Sequence, residues 1–184
     1  YYHDEDPNRQ FVRGEGPAEP RVQQRINDRI YGDIAATADV VVSLHTSWVA
    51  TYPYTIQPRV PYGDDRTVAE AVELRDTLTD LTAAFGLPVV NQFGRPTAEQ
   101  RGLLHTLTGA AIADGIPAFT PELGGRFVVE EDACTAAVDG LRNVLATLDM
   151  VSESPTSRTT FGFDTDEELT RLVHPHTDTA GLVT

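Results

Sequence analysis

The chain has 184 residues, of which 40% are apolar, and this length and composition suit one hydrophobic core in one soluble domain. No apolar stretch is long enough to cross a bilayer, and the first residues do not read as a signal peptide, so we expect no membrane partner. The formal net charge is −14, which disfavours nucleic acid because phosphates repel such a surface. The single Cys134 excludes an internal disulfide and indicates the reducing cytoplasm.

The acidic residues are spread along the whole chain, while all 14 basic residues are arginine. One interpretation is an acidic patch for a basic partner, and the other is a whole surface adapted to high salt, where charge repulsion is screened. A docking patch would concentrate the carboxylates in one segment. The scatter therefore favours the second interpretation, and we expect a halophilic archaeal source.

The first regular elements predicted are a helix and a strand that follow each other. Apolar residues recur at helical spacing from position 20 to about 36. The apolar run within 39–47 predicts a strand buried on both faces. The strand ends in a polar cluster led by His45, at the place where open α/β sheets bind ligands. His45 is therefore a candidate metal ligand, and the alternative is a histidine that only hydrogen-bonds a neighbouring loop.

The segment 48–65 is rich in tyrosine and proline and predicts a long loop, either lining a pocket or packed on itself as a surface flap. Thr67 is expected to begin a second helix that Gly86 ends. A short strand is predicted over 87–91. Thr97 is expected to cap a third helix that continues to about residue 114.

The second informative stretch is 116–125, an apolar strand that ends in Glu122 and a glycine pair. Its prolines predict an edge position in the sheet or an interrupted ladder, because proline cannot donate to a strand ladder. A fourth helix is predicted from Glu130 to about Met150. The alternation of helices and strands predicts an α/β fold, a three-layer sandwich with a largely parallel mixed sheet.

Three short motifs occur in an order that resembles the succinylglutamate desuccinylase/aspartoacylase family of zinc-dependent deacylases. They are Asp6-Pro7-Asn8-Arg9, Ser43-Leu44-His45 and Thr120-Pro121-Glu122-Leu123-Gly124-Gly125. The resemblance covers roughly residues 6–125 and implies a zinc-carboxypeptidase-like fold. The specificity lies in the order and spacing of the motifs, and a serine stands where the second motif usually has aspartate.

The resemblance also implies roles for individual residues. Asn8 and Arg9 would hold the substrate's carboxylate, since a guanidinium pairs bidentately with that group. The alternative is that Arg9 only balances carboxylates of its own loop, namely Asp4, Glu5 or Asp6. His45 would be a zinc ligand, and Glu122 a general base on zinc-bound water and then the acid toward the leaving amine. Arg59, near the end of the aromatic loop, is a further expected substrate-binding residue.

The implied function is zinc-dependent hydrolysis of the amide bond of an N-acyl amino acid or a similar small carboxylate. The family's upstream Gly-x-His-Gly-x-Glu motif, which completes the zinc site, does not occur here. Because a catalytic zinc needs three protein ligands, His3 or the His174/His176 pair would have to substitute, or the chain is a fragment. We then expect residues 1–150 to be a catalytic domain without that motif, and 151–184 to be a linker and the start of a β-domain.

Two alternatives to the enzyme remain open at the level of sequence. One is a metal-free module that uses Asn8 and Arg9 to bind a carboxylate ligand. The other is an inactive fragment that is stable only as a homo-oligomer.

Overall fold

The computed structural model describes residues 6–12, 19–47, 52–63, 66–125, 128–152 and 169–170. Short 3₁₀ segments occur at Pro7–Arg9 and Leu103–His105. The helices are α1 (Val22–Thr37), α2 (Val68–Phe85), α3 (Arg95–Gln100), α4 (Leu107–Ala113) and α5 (Glu131–Thr147). The strands are β1 (Val41–Val42), β2 (His45–Ser47), β3 (Tyr54–Gln57), β4 (Val89–Asn91), β5 (Ala118–Gly125) and β6 (Leu169–Thr170).

The strands form one sheet in the order β1-β5-β3-β4-β6, and β2 continues β1 alongside β5. Strand β5 runs parallel to β1 and β2, and β4 runs parallel to β3 and β6. Among the described strands, the β3–β5 pair alone is antiparallel. The sheet is therefore mixed and largely parallel, which confirms the predicted α/β class.

A large part of the hydrophobic core lies between the sheet and helices α2 and α5, and Ala111 and Ile112 of α4 belong to the same buried cluster. Leu78 and Leu81 of α2 are fully buried, and the rings of Phe85 and Phe119 meet edge to face with centroids 5.7 Å apart. On the same sheet face, the hydroxyl of Thr82 donates a hydrogen bond to Gln57 Oε1 at 2.8 Å. These contacts identify the face of β5 that carries Phe119 as the face covered by α2.

Several predicted elements are confirmed close to their expected bounds. Helix α2 follows an N-cap at Thr67, whose hydroxyl accepts a hydrogen bond from the backbone N–H of Glu70, and it ends at Gly86 with a φ of 88°. That φ lies in the left-handed region, which glycine adopts without steric cost. Helices α1 and α5 and strand β4 also match their predictions. In the described residues, no helix is long and apolar enough to cross a membrane.

The prediction of one continuous third helix is wrong. Gly102 has a φ of 64°, and this left-handed residue separates α3 from the 3₁₀ segment before α4. Thr97 does not cap α3, which begins at Arg95 with Pro96 in its first turn, where the locked φ of proline suits the helix. Thr106 instead caps α4 by accepting from the N–H of Gly109.

The prolines around position 121 predict either an edge position or an interrupted ladder. The edge position is wrong, because β5 lies between β1/β2 and β3, whereas the interrupted ladder is confirmed by the gap in pairing between Val42 and His45. Thr55 donates its N–H to Pro88 O on the β4 side, so Thr55 and its partner Pro121 form a non-hydrogen-bonded pair of the antiparallel ladder. The missing donor of Pro121 therefore faces β1/β2. It falls opposite the gap between Val42 and His45, which explains why that ladder is interrupted.

The two strand predictions around position 50 need correction as well. The run 39–47 is predicted to be one strand buried on both faces, but it forms the two short strands β1 and β2, and Leu44 between them is 46% exposed. The segment predicted as a long loop contains β3. Its Tyr-Thr-Ile core has the aromatic and β-branched residues that strands favour, and flanking prolines hid this signal.

Candidate functional site

His45 and Glu122 are register partners in the parallel strands β2 and β5. Neighbouring strands lie about 4.8 Å apart, and residues directly opposite each other project to the same face of the sheet. Both residues are half-buried, so each side chain has access to solvent and to packed neighbours. The structure thus brings together the two residues that the resemblance implies as metal ligand and general base.

The pair lies on the sheet face away from α2. Side chains alternate along a strand, and Glu122 is three positions after Phe119, so the two side chains point to opposite faces. Because Phe119 packs on α2, Glu122 projects to the opposite face. The pair therefore lies on the opposite sheet face from Phe119 and α2.

Gly124, two residues after Glu122, has a backbone conformation that residues other than glycine rarely adopt. Gly124 has a φ of 87°, and a Cβ at this position would collide with the carboxylate of Glu130. The N–H of Gly125 donates to the same carboxylate at 3.4 Å.

Arg9 is engaged by its own surroundings. Its Nη1 lies 3.3 Å from Asp6 Oδ2 and donates to the carbonyl of Asn8 at 2.8 Å, while Nε donates to the carbonyl of Arg101 at 3.2 Å. The side chain is 35% exposed. These contacts agree with the alternative in which Arg9 balances an acid of its loop, and a substrate carboxylate would compete with Asp6.

Asn8 serves the start of α4. Its Oδ1 accepts a hydrogen bond from the backbone N–H of Leu107 at 3.0 Å, one of the donors that a helix leaves unsatisfied at its N-terminus. The contacts of Asn8 and Arg9 are thus with Leu107, with Asp6 and with backbone carbonyls. Their role as a carboxylate clamp stays a prediction.

Arg59 lies several residues along the chain from Tyr54, the residue of β3 that is opposite Glu122. Tyr54 is opposite Glu122, and because β3 is antiparallel to β5, the chain moves away from that level by roughly 3.3 Å per residue beyond Tyr54. Arg59 is exposed and donates from Nε to Gln92 O at 2.8 Å, just beyond β4. The structure does not bring Arg59 to the His45–Glu122 pair, and its substrate-binding role stays a prediction.

A zinc ion would need more ligands than this face supplies. Across the described ranges, no group of three or more histidine, cysteine, aspartate or glutamate side chains lies close enough to hold a metal ion. His45 offers one nitrogen donor, whereas a catalytic zinc uses three protein ligands. The alternative ligands His3, His174 and His176 lie outside the described residues. The described residues therefore do not by themselves fit a complete zinc site.

Tyr54 is a neighbour of Glu122 that the sequence interpretation missed. It is the register partner of Glu122 in the antiparallel β3–β5 pair and is half-buried. The sequence predicts a loop around Tyr54, and a loop has no fixed side-chain direction. The aromatic and β-branched run at 54–56 was the signal that would have identified the strand.

No protein-family profile and no curated protein matches the sequence. Among solved structures, the chain is similar to a succinylglutamate desuccinylase/aspartoacylase from Rhodobacter sphaeroides, with 24% identity, a TM-score of 0.62, and coverage of 83% of this chain and 40% of that one. A succinylglutamate desuccinylase from a Silicibacter species gives 22% identity and a TM-score of 0.64, with coverage of 89% of this chain and 43% of that one. The apo ectoine utilization protein EutE (DoeB) from Ruegeria pomeroyi is 20% identical, with a TM-score of 0.63. This match covers 90% of this chain and 45% of that protein.

The chain spans less than half the length of these solved proteins. At this level of identity, the comparison concerns the fold alone. The chain shares the α/β fold of solved succinylglutamate desuccinylase/aspartoacylase proteins.

Proposed function

We propose that the full-length protein hydrolyses the amide bond of an N-acyl amino acid or a similar small carboxylate. The observation that carries this proposal is the pairing of His45 with Glu122 on one face of the sheet. The shared fold with desuccinylase/aspartoacylase proteins supports it. A half-buried carboxylate beside an imidazole suits proton transfer at a reacting water molecule.

Glu122 has the chemistry that both halves of the reaction need. Its carboxylate accepts a proton from water while the water oxygen attacks the amide carbon, and the carbonyl electron pair moves onto oxygen. When the tetrahedral intermediate collapses, Glu122 returns the proton to the departing nitrogen, which leaves a carboxylic acid and a free amine. A positioned general base of this kind contributes about 10²- to 10⁴-fold to the rate.

Zinc is part of the proposal as the cofactor of the whole protein. Zinc bound there would supply a Lewis acid that polarises a carbonyl and lowers the pKa of water. His45 is the residue on this face that would hold it. The remaining ligands are not found among the described residues.

The test is the Glu122→Gln substitution in the full-length protein. Glutamine keeps the shape of the side chain but cannot accept the proton, so we expect amine release from N-acetyl-L-aspartate or N-succinyl-L-glutamate to fall about 10²- to 10⁴-fold. Glu73→Gln is the matched control, because Glu73 is an exposed residue of α2, on the far side of the sheet. Undiminished turnover by Glu122→Gln would overturn the proposal.

The competing candidate is a metal-free module that binds a carboxylate ligand through Asn8 and Arg9. Its main difficulty is that Arg9 already pairs with Asp6 and with two backbone carbonyls. It predicts that N-acetyl-L-aspartate binds and is recovered intact. Release of free aspartate by the unmodified protein would exclude this candidate.

A further inference from the structure

Strand β3 places a phenol beside the general-base candidate. Tyr54 and Glu122 are partners in the antiparallel β3–β5 pair. Thr55 turns its N–H toward Pro88 on the β4 side, so Tyr54 turns its backbone groups toward β5. Tyr54 and Glu122 therefore form a hydrogen-bonded pair of the ladder, in which the Cα atoms are about 5.5 Å apart.

The two side chains project to the same face of the sheet, with Cβ atoms about 4.5–5.5 Å apart. His45 is the partner of Glu122 on the other side, in β2. One face thus carries a row of an imidazole, a carboxylate and a phenol across the adjacent strands β2, β5 and β3. The carboxylate is in the middle of this row.

The row has a chemical asymmetry that suits amide hydrolysis. An ionised carboxylate only accepts hydrogen bonds, whereas the phenol of tyrosine has an O–H to donate. The tyrosine side chain is also longer than that of glutamate, so an extended rotamer carries its hydroxyl further from the sheet. A substrate carbonyl attacked by a water molecule on Glu122 would have its oxygen within reach of this donor.

We propose that Tyr54 donates a hydrogen bond to the oxygen of the amide carbonyl that is attacked beside Glu122. This inference rests on the proposed function. The carbonyl oxygen gains negative charge in the tetrahedral state, and a fixed donor stabilises that charge more than it stabilises the neutral amide. Tyr54 keeps its proton throughout, so it changes no step of the proton transfer by Glu122.

The test compares Tyr54→Phe with the unmodified full-length protein. Phenylalanine keeps the ring and removes only the hydroxyl. We expect kcat for N-acetyl-L-aspartate to fall roughly 10²-fold with little change in KM, the pattern for loss of a donor that acts in the transition state. Tyr52→Phe is the matched control, because Tyr52 is 65% exposed and lies before β3.

A binding measurement separates this role from a structural one. The methylphosphonamidate of L-aspartate mimics the tetrahedral state, and its affinity for Tyr54→Phe, measured by calorimetry, should fall at least about tenfold. Affinity for the product L-aspartate, which has no tetrahedral oxygen, should not change. Equal losses for both compounds would show a structural effect and overturn the inference.

The outcomes also distinguish the inference from the function on which it rests. If Glu122→Gln is inactive while Tyr54→Phe keeps the kcat and analogue affinity of the unmodified protein, the inference fails alone. If the unmodified protein neither binds the analogue nor releases aspartate from N-acetyl-L-aspartate, the proposed function and the inference fail together.

Discussion

Arg9 and Asp6 form an ion pair in which Nη1 lies 3.3 Å from Oδ2, and both side chains are more than one-third exposed. Asp6 also accepts a hydrogen bond from the backbone N–H of Asn8 through its other oxygen. Asp6 therefore holds the backbone of its loop and forms an ion pair with the guanidinium of Arg9. Any substrate carboxylate that uses Arg9 must displace Asp6 or share the guanidinium with it.

The Asp6→Asn substitution tests whether Arg9 binds substrate. Asparagine keeps an oxygen for the N–H of Asn8 but removes the competing charge. If Arg9 is part of the clamp, binding of N-acetyl-L-aspartate by calorimetry should tighten by up to about fivefold, the range of an exposed ion pair. Asp33→Asn is the control, because Asp33 pairs with Arg29 on exposed α1. Unchanged or weaker binding would assign Arg9 to loop structure alone.

Gly140 of α5 sets the close approach between α5 and α2. A Cβ at this position would lie 2.8 Å from the carbonyl oxygen of Phe85 and 2.9 Å from its ring. The oxygen belongs to the backbone, so the helices themselves would have to separate. We expect Gly140→Ala to lower the free energy of unfolding by about 1–3 kcal/mol, measured by urea denaturation.

Gly32 provides the matched substitution for this experiment. It lies inside α1, and a Cβ there would meet nothing within 4 Å. Gly32→Ala should therefore raise the free energy of unfolding by about 0.5–1 kcal/mol, because alanine favours the helix more than glycine does. The same sign of change at both positions would contradict the packing described for α2 and α5.

The N-terminus of α2 makes a pH-dependent contribution to stability. Hydrogen bonds from the hydroxyl and then the N–H of Thr67 lower the pKa of Glu70 below its ordinary value. The ionised form therefore stabilises the fold at pH values above the ordinary pKa of a glutamate. This contribution is lost as the pH falls through the lowered pKa of Glu70.

We expect Thr67→Ala to cost about 1 kcal/mol of unfolding free energy near neutral pH, because it removes the N-cap. The difference in unfolding free energy between the unmodified protein and Glu70→Gln should shrink as the pH falls through the lowered pKa of Glu70. Urea unfolding at a series of pH values measures both. A difference that stays constant down to the lowest pH would show that Glu70 does not act through its charge.

Local sequence signals predicted the parts of the fold that depend on local chemistry. The N-cap at Thr67 and the C-cap at Gly86 each act within one turn of the helix, so these residue types indicate where α2 begins and ends. The position of β5 was not predictable from its prolines. Whether Pro121 costs a hydrogen bond depends on which neighbour its nitrogen faces, and strand pairing decides this.

Some residues of the candidate site could be predicted from local sequence, and Tyr54 could not. His45 and Glu122 follow apolar strands and carry motif residues, so sequence identified both, and the sheet register then placed them side by side. Tyr54 carries no motif, and its position depends on the antiparallel pairing of β3 with β5. A residue that joins a site only through pairing between distant segments leaves little signal in its own neighbourhood.

The acidic surface predicts that the protein becomes more stable with salt. A net charge of −14 makes the carboxylates of a compact chain repel one another, and salt screens this repulsion. We expect the urea concentration at the midpoint of unfolding to rise when the sodium chloride concentration is raised from a low to a molar value. Replacing the exposed Glu73 and Asp80 of α2 with Gln and Asn should raise the low-salt midpoint and reduce the salt effect. A midpoint independent of salt would disfavour the halophilic interpretation.

His45 predicts a specific effect on metal binding by the full-length protein. If His45 is one of three zinc ligands, His45→Ala leaves an incomplete set, so zinc affinity should fall by more than about tenfold. Elemental analysis after chelation and reloading measures the zinc retained. His105→Ala is the control, because His105 is exposed in the 3₁₀ segment before α4. Equal zinc content in the unmodified protein and His45→Ala would remove His45 from the proposed metal site, while Glu122→Gln would still test the hydrolysis by itself.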